Sequence, residues 1–537
     1  MRLKHLSLPS VRAETNAWAP LRIGVYRALW TASLVSNLGT WMQNVAGSWL
    51  MTSLSSSPAM VALMQTATSL PVLLLGVPAA TLGDLFDRRK LLLFAQLWAL
   101  SAAAALAAFT YSGQMSAWSL LGLTFAIGLG AALGAPLWQA VVAELVPRRE
   151  LPAAVALSGV SVNLARALGP ALAGLLFAAA GPALVFVLNA LSFIGVSLVL
   201  WSWKREVRER SLPVEPFVHA IAAGFRFTRY SSELRTVLLR AFAFVVFASA
   251  LWALLPVVAR SRAGMGASGY GALLGCLGSG ALAGALLLPR IRQRFDIDRS
   301  LTLATCVFAF ASLVLGWSTQ ALVLGGALFV AGIAWITFMS SMNVSAQWSA
   351  PSWVQGRALG LYMFVFQGGM AIASAFWGVL AEQMGLTLAL SAAALALLST
   401  LVLGSKFRLA GIAQQELEPA HHWPEPHVVL DFDPHKRPVH VQIEYRVEDH
   451  LASRFLQSIR ELGRVRRRDG ATHWTVLRDV GDPERFVESF YHPSWDDHLR
   501  LHSRMLTRDL EIEDKVRAFH RPGFELRVVH LVDAFER

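Results

Sequence analysis

The sequence predicts an all-α polytopic membrane protein of twelve transmembrane helices in two six-helix bundles, followed by a small α+β domain. Three observations predict it. The 537 residues are 55% hydrophobic and 15% charged, with a mean hydropathy of +0.49, whereas soluble domains are about 25% charged. Apolar runs of roughly 20 residues recur along most of the chain, and ~20 residues at ~1.5 Å each cross a ~30 Å hydrocarbon core. Beyond Arg408 the pattern changes to short alternating segments separated by polar turns.

In chain order the runs fall near 25–51, 58–82, 91–111, 118–143, 152–179, 183–202, 236–258, 268–289, 300–317, 320–345, 356–382 and 386–404. Their connections alternate in charge. Arg2, Lys4, Arg12 and Arg22 precede the first run, and Arg88, Arg89 and Lys90 follow the second. Arg148 and Arg149 follow the fourth, and Lys204, Arg205, Arg208 and Arg210 the sixth. Arg290, Arg292, Arg294 and Arg299 surround the loop after the eighth, Arg357 follows the tenth, and Lys406 and Arg408 the twelfth. Cations gather in cytoplasmic loops, so both termini are expected in the cytoplasm. Arg260 and Arg262, after the seventh run, are the exception. The net charge of +12 is thus explained by topology, and no nucleic-acid partner is expected. The first apolar run is too long for a signal-peptide core, so no cleavable leader is expected. Cys276 and Cys306 lie in apolar runs and read as small core residues, not as a disulfide or metal pair.

The longest connection divides the membrane part. The expected units are a six-helix bundle over 1–203, a cytoplasmic linker over 204–235, and a second six-helix bundle over 236–408. Within the linker, 220–229 reads as a short amphipathic helix on the inner surface. Shifting the first half by 204 positions places Gly122, Gly128, Gln139, Pro147, Asn163, Gly174 and Gly181 on Gly326, Gly332, Asn343, Pro351, Gln367, Gly378 and Gly385. One register serves every pair, which is the mark of an internal duplication.

Residues 409–438 form a linker rich in Pro, His and Glu. Positions 439–447 alternate as a strand, with Val439, Val441, Ile443, Tyr445 and Val447 on one face. Residues 449–460 read as a helix, 473–478 and 485–491 as a strand pair, 494–514 as one long helix, and 526–532 as a last strand. The order β-α-β-β-α-β predicts a ferredoxin-like α+β domain over 439–537. It is expected in the cytoplasm, where the twelfth run ends.

The loop 83–90 reads Gly-Asp-Leu-Phe-Asp-Arg-Arg-Lys. With twelve spans and a duplicated unit, it resembles the signature loop of the major facilitator superfamily, Gly-x-Leu-Ala-Asp-Arg-x-Gly-Arg-Arg. Asp84, Arg88 and Arg89 match the acid and the two terminal cations, whereas Ala80 and Asp87 replace the glycines and Leu85 the first arginine. The resemblance implies a gating role for these three. The 204-residue shift places Arg88 and Lys90 on Arg292 and Arg294 but Asp84 on Leu288, so topology alone does not account for the acid. Residues 167–174, Ala-Leu-Gly-Pro-Ala-Leu-Ala-Gly, resemble the Gly-Pro motif of antiporter-type members, which adds Gly169 and Pro170 to the gating set. Residues 41–43, 136–149, 163–174 and the tail motif Ser494-Trp495-x-x-His498-Leu499-Arg500 resemble the transmembrane secretion effector branch, which includes enterobactin-exporter-like proteins. The tail is similar to the antibiotic-biosynthesis-monooxygenase type of ferredoxin-like domain.

These resemblances imply a secondary active transporter of the bacterial inner membrane. It would export small amphiphilic molecules, siderophore-like metabolites or drugs, by alternating access, with a proton as the expected coupling partner. Membrane lipid surrounds it and no cofactor is expected. The tail reads as a docking or dimerisation module. Two alternatives are a transporter fused to a cofactor-free monooxygenase-like domain and a non-transporting sensor or scaffold.

Arg166 is the most informative single residue. It lies near the middle of the fifth run, where a charge costs at least ~2.5–3.5 kcal/mol and needs a cavity or a partner. It either meets an anionic group of the substrate or is held by backbone carbonyls. Asn163, Pro170 and Gly174 share its helix face. Runs 1, 4, 7 and 10 line the cavity in the resembled superfamily, which makes Asn37, Gln43, Asn44, Trp138, Gln139, Trp252, Trp335 and Asn343 cavity candidates, with Gln367 as the repeat mate of Asn163. The competing role for each is helix–helix hydrogen bonding or packing. Glu144 and Arg148, four apart at the inner end of the fourth run, are gate candidates with Asp84, or else interfacial anchors. His498 and His502 share a helix face at a metal-ligand spacing, but no third ligand is evident, and a solvated face is the expectation.

Overall fold

The computed structural model describes residues 17–147, 149–203, 217–351, 353–409 and 437–533. The membrane part consists of α1 (Gly24–Leu54), α2 (Pro58–Leu85), α3 (Arg88–Tyr111), α4 (Ala117–Leu145), α5 (Leu151–Ser202), α6 (Phe217–Tyr230) and α7 (Ser232–Ser261). It continues with α8 (Ala267–Arg294), α9 (Ile297–Trp317), α10 (Ala321–Trp348), α11 (Gln355–Met384), α12 (Leu386–Ser399) and α13 (Leu401–Lys406). Among the described residues, ten stretches are long and apolar enough to cross a membrane. α1 falls outside that set because it carries Asn37, Gln43 and Asn44, although it is 31 residues long. α5 is 52 residues, about 78 Å if straight and so long enough for two crossings.

Short polar residues start several of these helices. Ser57, Asp87, Ser116, Ser231 and Asp296 each accept a backbone N–H of the following turn, satisfying donors that a helix start leaves open. Gly181 breaks α5 with φ 77° and ψ 178°, a conformation that favours glycine. Gly385, its mate under the 204-residue shift, separates α11 from α12 with φ 85° and ψ 157°. The repeat extends to packing. Pro147 and Pro351 each accept the N–H three residues on, from Glu150 and Val354. Gly128 lies against Pro71 of α2, and Gly332 lies against Leu277 and Ala281 of α8. Gly174 lies against α8 at Gly271, and Gly378 against α2 at Ala62. The duplicated glycines therefore serve equivalent helix crossings in the two halves.

Contacts within the halves and between them differ in position. The basic end carries the α2–α3, α4–α5 and α8–α9 connections. Among the described residues, contacts that join the halves between mid-helix and the opposite end include Gly368 against Leu73, Thr66 Oγ1 donating to Ala371 O at 2.7 Å, Ser57 Oγ donating to Glu382 at 2.6 Å, and Trp49 stacked on Tyr270.

The tail is a four-stranded antiparallel sheet in the order β2-β3-β1-β4, from β1 (Val439–Arg446), β2 (Thr472–Arg478), β3 (Arg485–His492) and β4 (Arg527–Val532). Val439, Val441, Ile443 and Tyr445 face a core shared with Phe455, Ile459 and Leu462 of α14 (Ala452–Asp469). The helix expected over 449–460 thus runs nine residues further. The long helix expected over 494–514 is two, α15 (Trp495–Arg504) and α16 (Thr507–Arg517). Asp509 causes the second start: its carboxylate accepts Leu506 N–H and pairs with the buried Arg468.

Candidate functional site

The seam between α1 and α5 holds the centre of the candidate site. Gly169 is buried there, and a Cβ on it would stand 2.6 Å from Trp41 Cβ. That close approach lets Arg166, one turn earlier, lay its guanidinium over the Trp41 ring at 5.6 Å. Among the described residues no carboxylate lies within ion-pairing distance of Arg166, and the ring's negative face is its charge partner. Pro170 has no N–H to give to the carbonyl of Arg166. Gly278 of α8 packs against that same oxygen, at 3.0 Å from its would-be Cβ. The Gly-Pro pair therefore does two jobs: glycine closes α5 onto α1, and proline brings an open carbonyl to the α5–α8 crossing. Asn163 is exposed and donates to Gly159 O at 2.9 Å in its own helix.

The remaining cavity candidates divide. Gln139 is exposed, and Asn44, Trp138 and Gln367 are half-buried. Asn37 donates to Ser161 Oγ at 3.1 Å, joining α1 to α5. Gln43 is fully buried and accepts from Asn189, so here it serves helix packing. Trp335 is likewise inside an aromatic cluster with Phe244, Phe308, Phe366 and Trp252. Trp252 is half-buried against it, and its buried Nε1 has no acceptor among the described residues. Asn343 accepts from Gln347 at 2.7 Å on its own helix. Asn189 was not singled out from the sequence. The signal was available, because a lone amide inside an apolar run needs a partner.

At the basic end, Arg88 donates to Glu144 at 3.1 Å, joining α3 to α4 within the first half. Arg89 donates to the carbonyls of Leu200 and Trp201, where the open C-terminal carbonyls of α5 attract a cation. Asp87, in a glycine position of the resembled motif, caps α3 through Arg89 N and Lys90 N. Asp84 lies in the last turn of α2, and its side chain is outside the described residues, as is Arg148. Arg240 and Asp298 form a further ion pair between α7 and α9 that sequence reasoning missed, and Asp298 also accepts Leu409 N–H at 2.9 Å. An acid opening α9 opposite a cation in α7 was its signal.

The tail sits on the second half. Arg508 pairs with Glu233 of α7 at 3.3 Å, and Arg504 lies over Trp353 at 4.4 Å. Arg467 and Arg468 lie over Tyr230 and Phe227 of α6 at 5.5 and 6.0 Å. α6 is thus the platform for α14, beyond its expected place as a surface helix. His498 is fully buried, against the expectation of a solvated face. Its ring lies 5.3 Å from His492 and 4.6 Å from His530. Burial pushes the His492 imidazole down to about 3. His502 lies outside the described side chains, and no group of metal-ligand geometry occurs among the described residues. Cys276 and Cys306 are free and half-buried.

The comparisons with known proteins agree with this architecture. The chain is 26% identical over 405 residues to the multidrug efflux pump Tap of Mycobacterium tuberculosis, covering 72% of this chain and 94% of Tap. It is 26% identical over 361 residues to the enterobactin exporter EntS of Salmonella typhi, covering 67% and 86%. Its fold matches that of a bacterial homologue of the human lysosomal transporter Spinster, solved inward-facing and unoccupied, with TM-score 0.56, 15% identity, and 73% and 96% coverage. The profile described as transmembrane secretion effector matches residues 15–537. The chain therefore belongs to the transmembrane secretion effector family of major facilitator transporters.

Proposed function

We propose that this transporter is a secondary active exporter that moves small amphiphilic molecules, siderophore-like metabolites or drugs, out across the bacterial inner membrane. The observation that carries the reading is the one-sided seam. Among the described residues, contacts between the halves run from mid-helix to the end opposite the basic loops, with Arg166 at mid-depth beside the seam. Two duplicated bundles in contact at one end are one of the two states that rocking about a midplane site requires. The positive-inside pattern makes the basic end cytoplasmic, so both termini are proposed to face the cytoplasm and the described contacts to be those of a state joined at the far side. Twelve crossings follow if α1 spans the bilayer and α5 spans it twice, turning at Gly181.

Arg166 is proposed to meet an anionic or electron-rich group of the substrate, together with Asn163 and Gln139. Asp84, Arg88, Arg89 and Glu144 are proposed as the cytoplasmic gate, with Gly169 and Pro170 as the crossing about which α5 moves. Coupling to a proton is part of this reading, with the end-of-helix acids Asp84 and Glu144 as its carriers. The tail is proposed as a ferredoxin-like docking module, a reading its strand order supports. The similarity to EntS and Tap supports export and the two substrate classes.

The test compares cells holding wild type, Arg166→Ala, a tail deletion and a null. Export that collapses in the null and with an uncoupler supports the reading. Equal retention of every candidate solute by wild type and null contradicts it.

A further inference from the structure

Arg260 and Arg262 break the charge rule that the other connections obey. Arg262 is bound within the second half, to Thr387. Arg260 is not. It ends α7, is exposed, and donates one bond to Thr52 Oγ1 of α1 at 3.0 Å. A guanidinium has five N–H donors, and the others of Arg260 meet no acceptor among the described residues. Among the described residues no carboxylate lies within ion-pairing distance of it.

Arg260 lines a cavity of about 460 Å³. Thr52, Ser53, Ser55, Ser56 and Ser261 carry hydroxyls around it; those of Thr52, Ser53 and Ser261 donate to carbonyls of their own helices, which leaves Ser55 and Ser56 as the donors. The walls come from the end of α1, the start of α2 and the end of α7, so the cavity straddles the closed end of the seam. A cation at a helix C-terminus suits the helix dipole. That accounts for the sign of Arg260 but not for a hydroxyl-lined space in front of it. One open guanidinium with the Ser55 and Ser56 hydroxyls on the same cavity wall is complementary to a carboxylate or similar oxyanion.

We propose that this cavity is an exit-side anion site, which receives the acidic group of a solute as it leaves. The proposal deepens the exporter reading and rests on it: Arg166 offers a cation at mid-depth and Arg260 a second one at the far end. The transported class is then organic anions. Oxyanion chemistry is shared by solutes and by lipid headgroups, and the site is assigned to the solute.

The test uses full-length protein in a neutral maltoside detergent and phenylglyoxal, which modifies accessible guanidinium groups. Modification of Arg260 is read by mass spectrometry of its peptide. Benzoate is expected to lower the modification several-fold, whereas benzamide, its neutral counterpart, and phosphatidylglycerol leave it unchanged. Alanine at both Ser55 and Ser56 should weaken the benzoate effect. Equal modification with and without benzoate overturns the proposal. So does protection by phosphatidylglycerol alone, or protection that survives the two alanines. A chain that exports without this protection loses only the exit site. A chain that shows it but exports nothing loses the exporter reading.

Discussion

Arg166 meets no acid among the described residues, so its charge faces Trp41 and the seam. Arg166→Gln should lower export of anionic solutes about 10- to 100-fold, the loss of one charge-assisted contact of ~1.5–3 kcal/mol. Neutral solutes should be affected less, and Arg166→Lys should retain part of the activity. Rates that fall equally for charged and neutral solutes would assign Arg166 to structure. Asp298 acts differently. Arg240 is 7% exposed, so Asp298→Ala strands a buried cation, at a cost of about 3–5 kcal/mol. Thermal unfolding in detergent checks this, and Arg240→Met with Asp298→Leu should recover most of the loss. An unchanged melting temperature in Asp298→Ala would show that the pair contributes little.

His492 gives the tail a pH dependence. Its folded value is depressed to about 3 by burial, against ~6.5 when unfolded. The unfolded chain then binds the extra proton, so stability is full above pH ~6.5 and falls as pH drops toward 3. Denaturation of the tail followed from pH 7 to pH 4 should show this slope, and His492→Phe should flatten it. A slope that His492→Phe leaves unchanged would assign the pH dependence to other groups.

At the scale of elements, the α5–α8 crossing is set by glycines that meet backbone. A Cβ on Gly174 would lie 3.0–3.2 Å from backbone atoms of Ala267, Ser268 and Gly271, and backbone cannot swing aside. Gly174→Leu should therefore part the halves at that end and lower the yield of a disulfide between Thr66→Cys and Ala371→Cys on the other seam. An unchanged yield would show that the two crossings move independently.

Helix positions were legible because apolar runs of bilayer length leave few alternatives. The α5 break was legible too, since Gly181 and Pro182 end one run and open the next. Which way each helix turns was not. A helix apolar on all sides has no face to mark its orientation, so Gln43 and Trp335 read as cavity residues yet are buried in packing. The tail's strands followed from alternation, but the α15–α16 break depends on Asp509 meeting Leu506 N–H and Arg468. The docking of α14 on α6 depends on arginines meeting aromatic rings far apart in sequence. Such long-range pairs leave no local pattern.

At the scale of the whole molecule, tail and second half are expected to move as one body. The Arg504 cation–aromatic contact is worth about 0.5–2 kcal/mol and the part-exposed Arg508–Glu233 ion pair about 0–1 kcal/mol, so Arg504→Ala with Arg508→Ala should loosen the tail without unfolding it. Faster amide hydrogen exchange in α6, with β1 still protected, is the expected outcome. Unchanged exchange in α6 would mean that the tail does not hold it.

The central claim is that the halves rock, closed at one end while open at the other. Spin labels report it directly in a chain whose Cys276 and Cys306 are replaced by alanine. The labels go at Ser56 and Met384, and cysteines for a cross-linker at Lys90 and Arg294, all exposed positions. Drawing the Lys90 and Arg294 positions together with a short cross-linker should lengthen the Ser56–Met384 distance distribution. A Ser56–Met384 distance that stays fixed when the basic end is clamped would contradict alternating access in this protein.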